Sequence, residues 1–193
     1  LSGTSFLERE GSTANVGLYD QRFALEWVQK YIHLFGGSRS RVTVIGESAG
    51  GGSIEHQITA YGGQGEVPFQ QAILQSPGFK PKPDFAEQEA IFQKTLSYAS
   101  LIAGKKIATV RDLAALSFTE LFLTNYILVG TAAYGDFVFG PVVDGNFVPD
   151  LPGKLLIEGH FHHDLNVMVA YNSAEGLVFS SPFLQNTSDF DAY

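Results

Sequence analysis

The sequence predicts an α/β fold, and three observations carry that reading. Short β-branched and aliphatic runs alternate with longer helix-compatible stretches, the pattern of strands joined through helices. One run, VTVIGESAGGG at 42–52, passes directly from strand through turn to helix, with Ser48 at the turn. The 193 residues are 45% hydrophobic and 17% charged, enough apolar material for one core. No apolar run reaches the roughly 18 residues that would cross a membrane.

Along the chain, residues 18–34 predict an amphipathic helix, with Phe23, Trp27 and Tyr31 at four-residue spacing and Ala24 and Val28 alongside. Gly36 and Gly37 end it. Residues 42–45 predict a buried strand and 49–61 the next helix. Glycines 50–52 cost that helix propensity but allow close approach to a sheet. A strand follows at 71–75, then a loop at 77–83 with three prolines. Residues 85–103 predict a long helix with Ile91, Phe92, Leu96, Ala99 and Ile102 on one side, and 109–128 two shorter helical pieces. The whole forms a helical insertion at about 84–130. Within it Phe122, Leu123, Tyr126 and Leu128 suit either a pocket wall or a core, and an apolar helical stripe is more often core. A strand at 137–143, a turn at Asp144-Gly145, a helix at 151–158 and a buried strand at 165–171 complete the pattern. No repeat or low-complexity tract interrupts it.

The pentapeptide G-E-S-A-G has a physical logic. A strand-to-helix turn this tight leaves no room for side chains beside the serine, which calls for small residues at Gly46 and Gly50. The turn holds the Ser48 hydroxyl clear of the backbone, with the Ala49 N–H beside the place where a substrate oxyanion would form. A competing reading makes this a glycine-rich turn with Ser48 capping the helix. In a chain with 21 glycines such turns also arise by accident.

Four further blocks stand around it: NVGLYDQRFALEWVQKYIHLFGG at 15–37, FQQAILQSPGF at 69–79, FGPVVDGNFVPDLP at 139–152 and VMVAYNSAEGLVF at 167–179. With the pentapeptide they resemble the type-B carboxylesterase/lipase family, which includes the cholinesterases, and most closely its filamentous-fungal members. The resemblance implies a partial α/β-hydrolase fold across residues 1–193 and a Ser–Glu–His triad in chain order. Ser48 matches the nucleophile, Glu175 the acid, and Ala49 the oxyanion-hole residue after the nucleophile. From the residues alone Glu175 also reads as a solvated loop carboxylate, although it follows a strand end, where catalytic groups of α/β sheets collect. Ser76 matches a family serine near the triad, with turn capping as the alternative. Glu47 reads as an ion-pairing residue behind the turn.

Two parts of that machinery are not found in the sequence. The family's histidine follows the acid, whereas His33, His56, His160, His162 and His163 all precede Glu175. The HGGG-type loop belongs upstream of the Asn15 block, and LSGTSFLEREGSTA does not contain it. The first residue is Leu1. These features predict an internal piece of a serine ester hydrolase, with little turnover on its own. A serine hydroxyl needs an adjacent base, and base and oxyanion donors each contribute about 10²–10⁴-fold. Sheet edges bared in such a piece favour aggregation.

Other features narrow the partners. The net charge is −8 with only 12 Lys and Arg and no basic stripe, which speaks against nucleic acid. His160, His162 and His163 lack carboxylate or cysteine partners at ligand spacing and read as a solvated loop. His56, two turns past Ser48, reads as a packing residue. No cofactor or metal is implied, and the substrate class is a small-molecule or lipid ester. The absence of cysteine leaves the compartment open, while the family resemblance and the sequon Asn186-Thr187-Ser188 favour secretion. The alternative function is a non-catalytic binding or adhesion protein on the same scaffold. The presence of both Ser48 and Glu175 favours the enzyme.

Overall fold

The computed structural model describes residues 1–8, 12–78 and 81–192. Phe79 and Lys80, within the predicted loop at 77–83, lie outside the described residues. Three parallel strands, β1 (Thr43–Glu47), β2 (Gln71–Gln75) and β3 (Asn166–Ala170), pair in the order β1-β2-β3. Their register sets Glu47, Gln75 and Ala170 side by side at the C-terminal edge. In chain order the helices are α1 (Thr4–Leu7), α2 (Val16–Tyr31), α3 (Ala49–Ile58), α4 (Phe85–Ala103), α5 (Val110–Ala114), α6 (Phe118–Gly130), α7 (Pro152–Glu158), α8 (Gly176–Phe179) and α9 (Thr187–Ala192).

Helix α3 forms the centre of the sheet side. Ile54 and Ile58 pack on Phe69, Ala72 and Leu74, with Leu25, Val42 and Val44 closing the cluster. Burial of such aliphatic side chains contributes about 1.5–3 kcal/mol each. The helix comes this close because two glycines leave room. A Cβ on Gly46 would stand 2.4 Å from the Gly50 carbonyl carbon, and one on Gly51 would stand 2.9 Å from the Pro77 Cα. Gly50 has open space around it. The expectation that Gly50 must be small is therefore corrected: the tight contacts fall on Gly46 and Gly51.

The burial of α2 also differs from the sequence pattern. Leu18, Gln21, Arg22, Leu25 and Gln29 share its inner face, at the spacing of one helical side. Gln21 donates to the Ser53 hydroxyl at 3.1 Å and Gln29 to the Pro68 carbonyl at 2.9 Å. The buried Arg22 guanidinium donates to the carbonyls of Gln57 and Glu66. With these polar side chains holding the helix down, the predicted core stripe faces out: Phe23 is 72% exposed and Trp27 45%. The strands expected to be buried are likewise uncovered. Ile45 and the β3 residues Val167, Met168 and Val169 are exposed, because no described element packs over them.

Helices α4 and α5, with the connections flanking α5, build a separate core from Phe92, Leu96, Ala99, Ile107, Leu113 and Leu116. Local signals set their ends. Asp84 caps α4 through the Ala86 N–H, Gly104 ends it at φ 62°, and capping boxes at Thr109/Asp112 and Ser117/Glu120 start α5 and α6. On α6 Leu128 is buried, but Phe122, Leu123 and Tyr126 are exposed.

The predicted strand at 137–143 does not form. Val142 makes a single parallel bridge to Lys82, and Pro141 has no N–H to offer a ladder. Instead Asn15, left-handed at φ 56°, uses its side-chain amide on both backbone groups of Val142, at 2.9 and 2.8 Å, and on the Asp144 carboxylate. The Asp144-Gly145 turn forms as expected, with Gly145 at φ 72°.

Candidate active site

All three strands end at the site. β1 stops at Glu47 and α3 starts at Ala49, so Ser48 alone makes the turn, at φ 53° and ψ −121°. A non-glycine residue rarely occupies that region, and it persists only when neighbours fix it. They do so here: the Ser48 N–H donates to the Gln75 carbonyl at 2.9 Å, and the Ser48 carbonyl accepts from Gly52 and Gly78, both at 3.0 Å. The Ser48 side chain makes no cap hydrogen bond to α3, which removes the helix-cap reading.

The ends of the next two strands are tied together in the same way. Ser76, directly after β2, is left-handed at φ 44°, and its N–H donates to the last carbonyl of β3, that of Ala170. Its hydroxyl donates to Glu175 Oε1. That oxygen also accepts from the Asn172 N–H at 2.9 Å and the Asn172 side-chain amide at 3.3 Å. Every one of these bonds falls on Oε1. The Ser76 hydroxyl first, and then the Asn172 N–H, hold the Glu175 carboxyl below the usual carboxylate range. Glu175 is therefore ionised at neutral pH.

Ser48, Ala49, Ser76 and Glu175 line one cavity of about 380 Å³, walled by Gly135, Phe137, Phe139 and Phe179. A second of about 350 Å³ lies between Ser48, Glu47, Asn172 and Glu175. The sequence residues Ser48, Ala49 and Glu175 are thus brought together, and Ser76 joins them as more than a turn cap. Glu47 faces the second cavity, and among the described residues no ion pair engages it. Phe122, Leu123 and Tyr126 do not line either cavity. The aromatic wall was missed in the sequence because 137–143 read as a strand; the glycine before it, at Gly135, was the available signal for a turn. A larger cleft of about 830 Å³ lies beside Gln70, His162 and Asp164, which precede the strand starts, and contains none of these groups.

None of the five histidines lines either cavity. His56 is buried on α3, where desolvation pushes its pKa down to about 4, so it is a neutral packing residue. His160 lies 3.5 Å from Glu158, and His163 approaches the Gly159 carbonyl at 3.1 Å. Among the described residues no helix is long and apolar enough to cross a membrane.

The sequence profile of the Carboxylesterase family matches residues 4–192. The chain belongs to the carboxylesterase family. Among its family relatives, the carboxylesterase patB of Penicillium expansum is 41% identical over the whole chain, which spans 33% of that protein. A secreted lipase of Arthroderma benhamiae is 34% identical, again over the whole chain and 35% of its own length. The acetylcholinesterase of Danio rerio is 34% identical over 90% of the chain and 28% of its own length. This family member therefore spans about a third of the curated relatives it matches. A solved thermophilic pNB esterase superposes with a TM-score of 0.77 at 26% identity, covering 98% of this chain and 39% of that one. The Aspergillus niger EstA structure gives 0.70 at 28% identity, covering 88% and 33%. The fold is part of the α/β-hydrolase fold of these esterases.

Proposed function

We propose that this chain carries the nucleophile and acid of a carboxylic-ester hydrolase that works through an acyl-enzyme. The observation that carries the reading is the shared cavity of Ser48 and Glu175 at the strand ends, with Ser76 and Asn172 orienting the carboxylate. Ser48 attacks the ester carbonyl, and the Ala49 N–H helps hold the oxyanion. Glu175, bonded among the described residues through Oε1, presents Oε2 to an imidazole that accepts the serine proton and later returns it to the leaving alcohol. Water then releases the acid. The relatives' names support small-molecule or lipid esters as the substrate class. Since no histidine of these 193 residues lines the cavity, the isolated chain has little or no turnover.

The test uses the complete translation product of the gene that encodes this chain, with a short-chain aryl ester as substrate. Ser48→Ala is expected to lower kcat by at least about 10³-fold, as removal of such a nucleophile does. The 193-residue chain alone should show no Ser48-dependent release. Hydrolysis that survives Ser48→Ala would overturn the assignment of the nucleophile. A folded, complete product that hydrolyses no ester would leave the binding or adhesion reading in its place.

A further inference from the structure

One wall of the 380 Å³ cavity belongs to the connection that leaves α6, and residues 131–140 of it form no strand among the described residues. It begins with a tight turn in which the Asp136 N–H donates to the Ala133 carbonyl at 3.0 Å. Gly135 sits inside that turn at φ 74°, a backbone region glycine tolerates without strain. The next residue in the opposite direction, Tyr134, donates its hydroxyl to the Val178 carbonyl on α8. Helix α8 is a single turn pinned to Glu175: the N–H groups of Val178 and Phe179 both donate to the Glu175 carbonyl, at 2.9 and 3.2 Å. The tyrosine bond therefore joins the wall of Gly135 and Phe137 to the turn that carries Phe179 and starts at Glu175.

We propose that Tyr134 is a positioning residue that fixes the spacing of these two walls and so sets the size of ester the cavity accepts. The inference rests on the ester-hydrolase reading above. Tyr134 is not among the residues that line the cavity. It acts through Gly135 on one side and through Val178 and Phe179 on the other. With the bond present, both walls move as one. Without it, the α6 connection loses this tie to α8, and the cavity loses its fit to small esters while gaining room for large ones.

The experiment measures p-nitrophenyl acetate, butyrate and octanoate with the complete gene product and its Tyr134→Phe variant, alongside thermal unfolding. Phenylalanine keeps the ring and removes only the hydroxyl. For acetate, KM should rise roughly three- to tenfold, the size of one neutral hydrogen bond, with kcat nearly unchanged. The octanoate-to-acetate ratio of kcat/KM should rise, with the unfolding midpoint close to the wild type. Tyr134→Ala should move the ratio further in the same direction. A ratio unchanged in both variants overturns the inference, even if all three rates fall together, because a merely structural residue lowers them in parallel. A folded wild type that hydrolyses none of the three esters overturns the ester reading, and this inference with it.

Discussion

Helices α2 and α3 pack against each other, yet they meet water in opposite ways. The sequence of α3, AGGGSIEHQI, is poor in large apolar groups, but seven of its ten residues are buried. Helix α2 carries Phe23, Trp27 and Val28 among its 16 residues and buries only Leu18 and Arg22. The difference shows that position, more than hydrophobicity, decides burial here. Helix α3 leaves the Ser48 turn directly onto the sheet and has no freedom to face elsewhere. Helix α2 is anchored by Gln21, Arg22 and Gln29, and its apolar side faces away from the sheet.

The comparison breaks most sharply at equivalent truncations. Ile54→Ala on α3 opens a cavity in the sheet-side core and should cost about 2–5 kcal/mol, whereas Phe23→Ala on α2 should stay within about 0.5 kcal/mol in the 193-residue chain. Urea unfolding of the two variants measures both values, and equal losses would dissolve the contrast.

The next largest effect is pH-dependent and comes from His56, on the buried helix. Burial lowers its pKa from the ordinary 6.5 to about 4, against a smaller opposing pull from Asp144. Between those values the unfolded chain binds the proton that the folded chain refuses. Stability from this group is thus complete above 6.5 and is lost as pH falls towards 4, by up to about 3 kcal/mol. Replacing it with a residue that does not titrate, His56→Gln, should flatten that part of the stability profile. An unchanged slope would show that other groups carry it.

The smallest effect sharpens the reason α3 lies so close. Gly46→Ala pushes a methyl group into the backbone of Gly50 and should destabilise by about 1–3 kcal/mol. Gly50→Ala, in open space within the helix, should be neutral or stabilise by up to about 1 kcal/mol. Thermal unfolding of the pair distinguishes a glycine required by contact from one that is merely present.

These contrasts also mark what the sequence could reveal. Element positions were legible where signals are local: β2 and α4 have the bounds predicted for them, and turn glycines end α4 and the 3₁₀ turn Ile32–Phe35 that follows α2. The placement of Ser48 after β1 and Glu175 after β3, on either side of β2 at one end of the sheet, follows from parallel connectivity, and both were visible through their motifs. What was not legible depended on distant partners. The exposed face of α2 reflects hydrogen bonds to Gln57, Glu66 and Pro68, beyond any helical period. The missing strand at 137–143 reflects Pro141 together with an amide from Asn15. The role of Ser76 depends on a carboxylate 99 residues later.

The Asn15 clamp has a consequence in time. Its amide closes on Val142, 127 residues further along the chain. At a synthesis rate of about 5–20 residues per second, that partner is made roughly 6–25 s after Asn15 itself. Until then the start of α2 lacks this tie, although Gln21, Arg22 and Gln29 find their partners by Pro68. The clamp thus acts as a clasp that shuts only when most of these 193 residues have been synthesised.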